Sequence, residues 1–301
     1  MTGKTIELFV PAITPFRADL SLDTARLVDQ CRWLLDQGAH GLAPFGTTSE
    51  ANSLTLGERR EGLEALVAAG IAPDRIIPGT GCCATDDTAQ LSRHAAQLGC
   101  RGVLMLPPFY YKGVGEAGLH AAFARTIEAC GPNVPAIYLY HIPQMSGVPI
   151  TLGLIERLRA SFGDRIAGLK DSSGDWDNTA AVIAAFPELD VYSASESMIP
   201  NNAAAGGAGC ISASSNVNPG GIRRLIDGLG TEAEAAAHAQ VSEVRKLFEG
   251  LPLIPAIKAA VVQRRDDPAY ARVRPPLVET TAGHATAISA AVRLSRSPVA
   301  A

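Results

Sequence analysis

Eight short apolar runs, each bounded by turn residues and followed by a helical pattern, constrain this chain more than any other feature. They fall at 7–13, 41–44, 76–79, 102–106, 136–140, 166–170, 190–193 and 209–212. Between them lie 3.6-periodic stretches, the first over 22–37 with Ser21 as N-cap and Gly38 as stop. A capping-box pattern, Thr55-x-x-Glu58, opens the second, which runs to Gly70. Others follow over 86–97, 116–130, 152–161, 176–186 and 198–205. Regular strand–helix alternation predicts a parallel sheet, and eight units predict a (β/α)8 TIM barrel. An open doubly wound sheet would want a glycine fingerprint after the first strand, where Pro11-Ala12-Ile13-Thr14-Pro15 stands instead. Past Gly228 the strands stop. Ala-rich helical patterns at 231–249, 253–262 and 281–294 predict a helical appendage, dividing the chain into a catalytic barrel, 1–228, and a C-terminal helical region, 229–301.

A chain with 47% hydrophobic and 19% charged residues can bury a large core. A net charge of −4 with scattered basic residues argues against a nucleic-acid partner. Neither a signal-peptide core nor an apolar run of membrane-spanning length occurs, so a cytoplasmic, soluble protein with no membrane partner is expected. The six cysteines lack CxxC spacing and mostly sit in apolar segments, which predicts buried free thiols and no metal.

The chemistry of such barrels lies at the C-terminal ends of the strands. The run at 166–170 ends there in Lys170, one of only five lysines, followed by Asp171-Ser172-Ser173. An ammonium at the end of a buried strand is costly to desolvate, and a neutral amine so placed can attack a carbonyl to form a Schiff base. The alternative is a strand-end lysine whose stem packs while its ammonium reaches water. The neighbouring run ends in Tyr140-His141. A phenol beside the amine suits Schiff-base chemistry, because forming and dehydrating a carbinolamine both need a positioned proton donor or acceptor. Gly46-Thr47-Thr48 offers consecutive N–H groups and two hydroxyls, either an anion cradle or an ordinary turn. Lys258 lies on a helical pattern outside the barrel, where a packed or snorkelling side chain is expected.

Gly46-Thr47-Thr48-Ser49-Glu50, Tyr140-His141-Ile142-Pro143 with Gly147, and Gly168-Leu169-Lys170-Asp171-Ser172-Ser173 resemble, in order and spacing, the dihydrodipicolinate synthase / N-acetylneuraminate lyase family. The likeness covers nearly the whole chain, including 107–111 and 206–212. It implies Lys170 as Schiff-base nucleophile and Tyr140 as proton shuttle, with Thr47 relaying the proton to Tyr111 of a neighbouring subunit. It implies that Thr48 and the Thr47 backbone take the 2-oxo acid carboxylate, and that the Ala194 and Ile211 backbones close the pocket. It further implies pyruvate or another 2-oxo acid plus an aldehyde as substrates, no cofactor, and a homotetramer built as a dimer of dimers.

This sequence also departs from the family. Met145 stands where the synthases carry the arginine that grips the semialdehyde carboxylate, and a thioether cannot make that bond. A neutral or hydroxylated aldehyde is therefore expected, with His141 either a pocket donor or held in a structural hydrogen bond to a neighbouring loop. Of the acidic pair that the sialic-acid lyases aim at the sugar chain, Glu196-Ser197 keeps only Glu196. Three functions remain: an aldolase or lyase joining or parting pyruvate and an aldehyde, a dehydratase of 2-oxo-3-deoxy sugar acids, and a barrel that binds an oxo acid without turnover. A dihydrodipicolinate synthase with atypical carboxylate recognition is a variant of the first.

Overall fold

A computed structural model describes residues 4–132 and 134–297; the ends of the two expected regions, 1–3 and 298–301, lie outside the described residues. Seven strands alternate with helices: β1 Glu7–Val10, β2 Gly41–Leu42, β3 Val103–Met105, β4 Ile137–His141, β5 Ile166–Asp171, β6 Asp190–Ser193 and β7 Gly209–Cys210. They form one parallel sheet in the order β2-β1-β7-β6-β5-β4-β3. The expected strand at 76–79 is not a ladder but two isolated parallel bridges, Leu42–Ile76 and Gly79–Leu104. Pro78 in its middle has no N–H to donate. The segment still joins the two ends of the sheet, because Ile77 donates to Leu42 and Thr80 to Leu104, each at 2.9 Å. The sheet thus curls into a TIM barrel.

The first helix, α1 Thr24–Asp36, starts on Asp23 rather than Ser21, because the Asp23 carboxylate accepts from the Arg26 amide at 3.1 Å. The capping box of α2 Leu56–Ala68 forms as expected. The barrel is completed by α3 Thr85–Gln97, α4 Glu116–Ala129, the single turn α5 Pro143–Ser146, α6 Leu152–Phe162, α7 Trp176–Ala185, α8 Ile199–Ala204 and α9 Pro219–Asp227. Period-two alternation sorts the strand residues. Ile137 and Leu139 of β4 pack outward under the helices, whereas Tyr138 joins Phe9, Leu104 and Tyr192 inside the barrel. Gly168 in β5 leaves room for that interior, since a Cβ there would meet the Tyr138 ring at 2.6 Å. At the N-terminal end the interior is plugged by Glu7, which takes two Arg101 bonds at 2.8 Å and one from Tyr192 at 2.9 Å.

Three further helices follow, α10 Glu234–Lys246, α11 Leu253–Arg265 and α12 Ala285–Arg296. They share a second core with the C-terminal end of the barrel: Val244, Phe248 and Ile257 pack with Ile13, Ala213 and Val217. The appendage therefore lies against the end where the strands deliver their last residues. No helix among the described residues is long and apolar enough to cross a membrane.

Candidate active site

Parallel pairing of β4 with β5 sets Tyr140 directly opposite Lys170, and residues paired in this way share a face. Lys170 is 5% exposed; its Nζ donates to the Tyr140 hydroxyl at 3.3 Å and lies 4.4 Å from the centre of that ring. The same hydroxyl stands 3.2 Å from Thr47 Oγ1. Amine, phenol and threonine hydroxyl thus form one continuous line. Burial alone would push the Tyr140 phenol up. The Lys170 charge and hydrogen bonds with Thr47, Lys170 and Ser172 more than reverse this, leaving the phenol below its ordinary value.

Thr47 owes its position to a constrained turn. Phe45 and Glu50, on either side of it, both adopt left-handed backbone, φ 59° and 56°, which non-glycine residues rarely do. The strain is held by side chains. Ser49 donates to the Ala12 carbonyl at 2.6 Å and Thr14 to the Ser49 carbonyl at 2.7 Å. Glu50, itself buried, is ion-paired with Lys258 and accepts from the Arg274 amide at 2.9 Å. The amides of Thr47 and Thr48 donate to no other described residue, so the turn leaves two N–H groups without a described acceptor.

A cavity of about 120 Å³ opens over this line, bounded by Thr47, Thr48, Tyr140, Lys170, Ala194 and Ile211. Six of the expected residues are therefore brought together. Four are not. His141 is buried outside the cavity, where its Nδ1 accepts from the Ile150 amide at 3.0 Å; burial holds its imidazole below the ordinary value despite nearby Asp171. Met145 is 64% exposed and does not line the cavity, whereas Gln144, its exposed neighbour in the α5 turn, does. Glu196 is fully buried behind the wall, accepting from Ser212 and Ser214. Tyr111 is 74% exposed, edge-on to Tyr110 at 5.3 Å between ring centres, and away from the cavity of its own chain.

Three polar lining residues were not anticipated as site residues from the sequence, Gln144, Ser172 and Arg245, alongside apolar Ile142, Ala213 and Leu253. Ser172 lies within the Lys170 motif and Gln144 between Pro143 and Gly147 of the Tyr140 motif, so both were in view but given no role. Arg245 sits in the last turn of α10, in a run of charges that reads as a solvated helix face. Lys258 proves packed rather than snorkelling, fully buried beneath Arg272 and Glu50, and it lines no part of the cavity.

The dihydrodipicolinate synthetase family model matches residues 4–294. An uncharacterized DapA-like lyase of Chloroflexus aurantiacus is 39% identical over 281 residues, 93% of either chain. The crystal structure of dihydrodipicolinate synthase from Agrobacterium tumefaciens superposes with a TM-score of 0.88 at 30% identity, covering 97% of this chain and 100% of the other. A prophage protein of the same family from E. coli K12, solved in complex with pyruvate, gives 0.86 at 26% identity, covering 96% and 98%.

Proposed function

Because the chain belongs to the dihydrodipicolinate synthetase family and is a lyase, we propose that it forms a Schiff base between Lys170 and pyruvate, or a 2-oxo acid that releases pyruvate, and makes or breaks a carbon–carbon bond to an aldehyde. One observation carries this reading: the continuous line of Lys170 Nζ, Tyr140 hydroxyl and Thr47 hydroxyl at the floor of a cavity with two free backbone N–H groups.

The chemistry follows from that line. The Thr47–Thr48 turn takes the 2-oxo acid carboxylate and presents the ketone carbon to Lys170. Attack by the amine forms the C–N bond and leaves a hydroxyl; Tyr140 gives that hydroxyl a proton and water departs, leaving an iminium. Removal of a proton from the adjacent methyl gives an enamine, whose carbon adds to an aldehyde; the reverse sequence cleaves. A phenol held below its ordinary value gives up its proton more readily, and Thr47 passes it on. The exposed Tyr110–Tyr111 tip supports an oligomer in which Tyr111 completes the relay of the facing subunit.

The test is chemical trapping. Incubation with pyruvate and borohydride should attach one reduced pyruvate to the peptide holding Lys170, and Lys170→Ala should abolish it. Attachment at Lys258, or none with any 2-oxo acid, refutes the assignment. Product analysis on 2-oxo-3-deoxy acids separates aldol cleavage from dehydration.

A further inference from the structure

Of the residues lining the cavity, only Lys170 and Arg245 carry a positive charge. Once Lys170 is bonded to the substrate's ketone carbon, Arg245 is the one cation left to meet another part of it. Its side chain keeps 26% exposure, and only Nη1 is engaged, donating to the Ser212 hydroxyl at 3.0 Å and the Ala194 carbonyl at 3.4 Å. Nε and Nη2 donate to no other described residue. A guanidinium with part of its fork unused, at the wall of a small cavity, is suited to a planar oxyanion. The same Nη1 bonds fix the side chain, so less rotamer freedom is lost when a ligand arrives.

Charge decides which oxyanion. Glu196 lies 3.8 Å from Arg245 Nη1 and is fully buried, so it offsets part of the positive charge. What remains suits a single negative charge. A phosphate monoester, at about −1.5 to −2, would need a second cation. No histidine lines the cavity, and burial holds His141 outside it below the ordinary imidazole value. Ser172 and Gln144, which also line the cavity, add uncharged hydrogen-bonding groups.

We propose that Arg245 binds a second carboxylate, at the end of the substrate remote from the 2-oxo acid group, so that the substrate is a 2-oxo dicarboxylate and the aldehyde partner an aldehyde acid. This rests on the Schiff-base reading above and departs from the expectation of a neutral aldehyde. That expectation looked for the missing arginine at Met145, which lies outside the cavity; a guanidinium reaches it instead from α10.

The experiment uses borohydride trapping of a series of 2-oxo dicarboxylates, each paired with the 2-oxo monocarboxylate of equal chain length. The readout is the ratio of the two concentrations giving half-maximal trapping. At the chain length that spans Lys170 to Arg245, the intact protein should favour the dicarboxylate by ~10- to ~150-fold, the span of a charge-assisted hydrogen bond. Arg245→Met should bring the ratio close to one, and Arg245→Lys should keep part of it. Normal trapping of pyruvate on Lys170 with no dicarboxylate preference at any length overturns this inference alone, whereas failure of pyruvate trapping overturns the Schiff-base reading. A 2-oxo acid ending in a phosphate ester forms the third arm. If the intact protein prefers it over the carboxylate and Arg245→Met loses that preference, the carboxylate assignment is wrong.

Discussion

Replacing Lys258 by methionine tests how the cradle at Thr47 is held. Lys258 and Glu50 are both fully buried and joined directly, although they lie 208 positions apart. Burial pulls the Lys258 ammonium down to about 8, and Glu50 only partly resists this. The pair is thus costly to bury and costlier to break. Lys258→Met strands the Glu50 carboxylate with one amide donor, that of Arg274, and loss of one partner of a buried pair costs ~3–5 kcal/mol. Glu50→Gln in the same chain removes the stranded charge and should restore most of that stability. Urea unfolding followed by far-ultraviolet circular dichroism reads both. Because Glu50 also holds the left-handed backbone that closes the Gly46–Glu50 turn, the single variant should need more pyruvate for half-maximal trapping. A second sign is available: with its folded value below that of a free lysine, Lys258 binds fewer protons folded than unfolded between pH 8 and about 10.5. Its contribution therefore rises with pH across that window, and the double variant should lack this rise. A loss under ~1 kcal/mol for Lys258→Met, or a double variant no better than the single, would refute the clamp.

Tyr140→Phe removes the phenolic proton beside Lys170 and should lower kcat by roughly 10²- to 10⁴-fold with KM for the oxo acid little changed; a loss under tenfold assigns the shuttle elsewhere. Mixing inactive Tyr111→Phe with inactive Lys170→Ala protomers should recover about a quarter of the activity if isologous dimers re-pair at random, and a fully active monomer in sedimentation would contradict the shared site. Glu58 is held at about 2 mainly by its bond to Arg274, so its contribution is complete above its ordinary value of 4.5 and lost as pH falls towards 2. Because water screens this partly exposed pair, the loss should be on the order of 1 kcal/mol, and Arg274→Ala should flatten that acid dependence of stability.

The barrel and the juxtaposition of Tyr140 with Lys170 at its mouth were legible because they obey local rules. Apolar runs of fixed spacing mark strands, and the last inward residue of a strand is placed at the mouth by alternation alone, which is why Tyr140 and Lys170 could be paired from the sequence. Boundaries slipped where side chains compete locally: Asp23 outbids Ser21 for the amides of α1, and Pro78 thins a strand to two bridges. Long-range contacts were illegible. Nothing near Lys258 in sequence announces Glu50. Arg245 sits among Glu243 and Lys246 on an Ala-rich helix, where only the docking of α10 on the barrel shows that it faces a cavity and not water. Met145 was hard to place for the opposite reason: in a four-residue helix adjacent residues point apart, and Gln144 rather than Met145 borders the cavity.

The thin closure at 76–79 has a consequence of its own. Elsewhere the ring is joined by strands, but at this one seam it is fastened by a handful of bonds around a proline. Gly79 presses so close that a methyl group there would stand 2.3 Å from the Phe45 carbonyl. Phe45 leads directly into the Thr47 turn, so the clasp of the barrel and the proposed oxo-acid cradle are the same piece of backbone. As temperature rises, local opening should begin where the fewest bonds hold, and the cradle would loosen before the helices melt. Such a protein loses its grip on the 2-oxo acid while still looking folded.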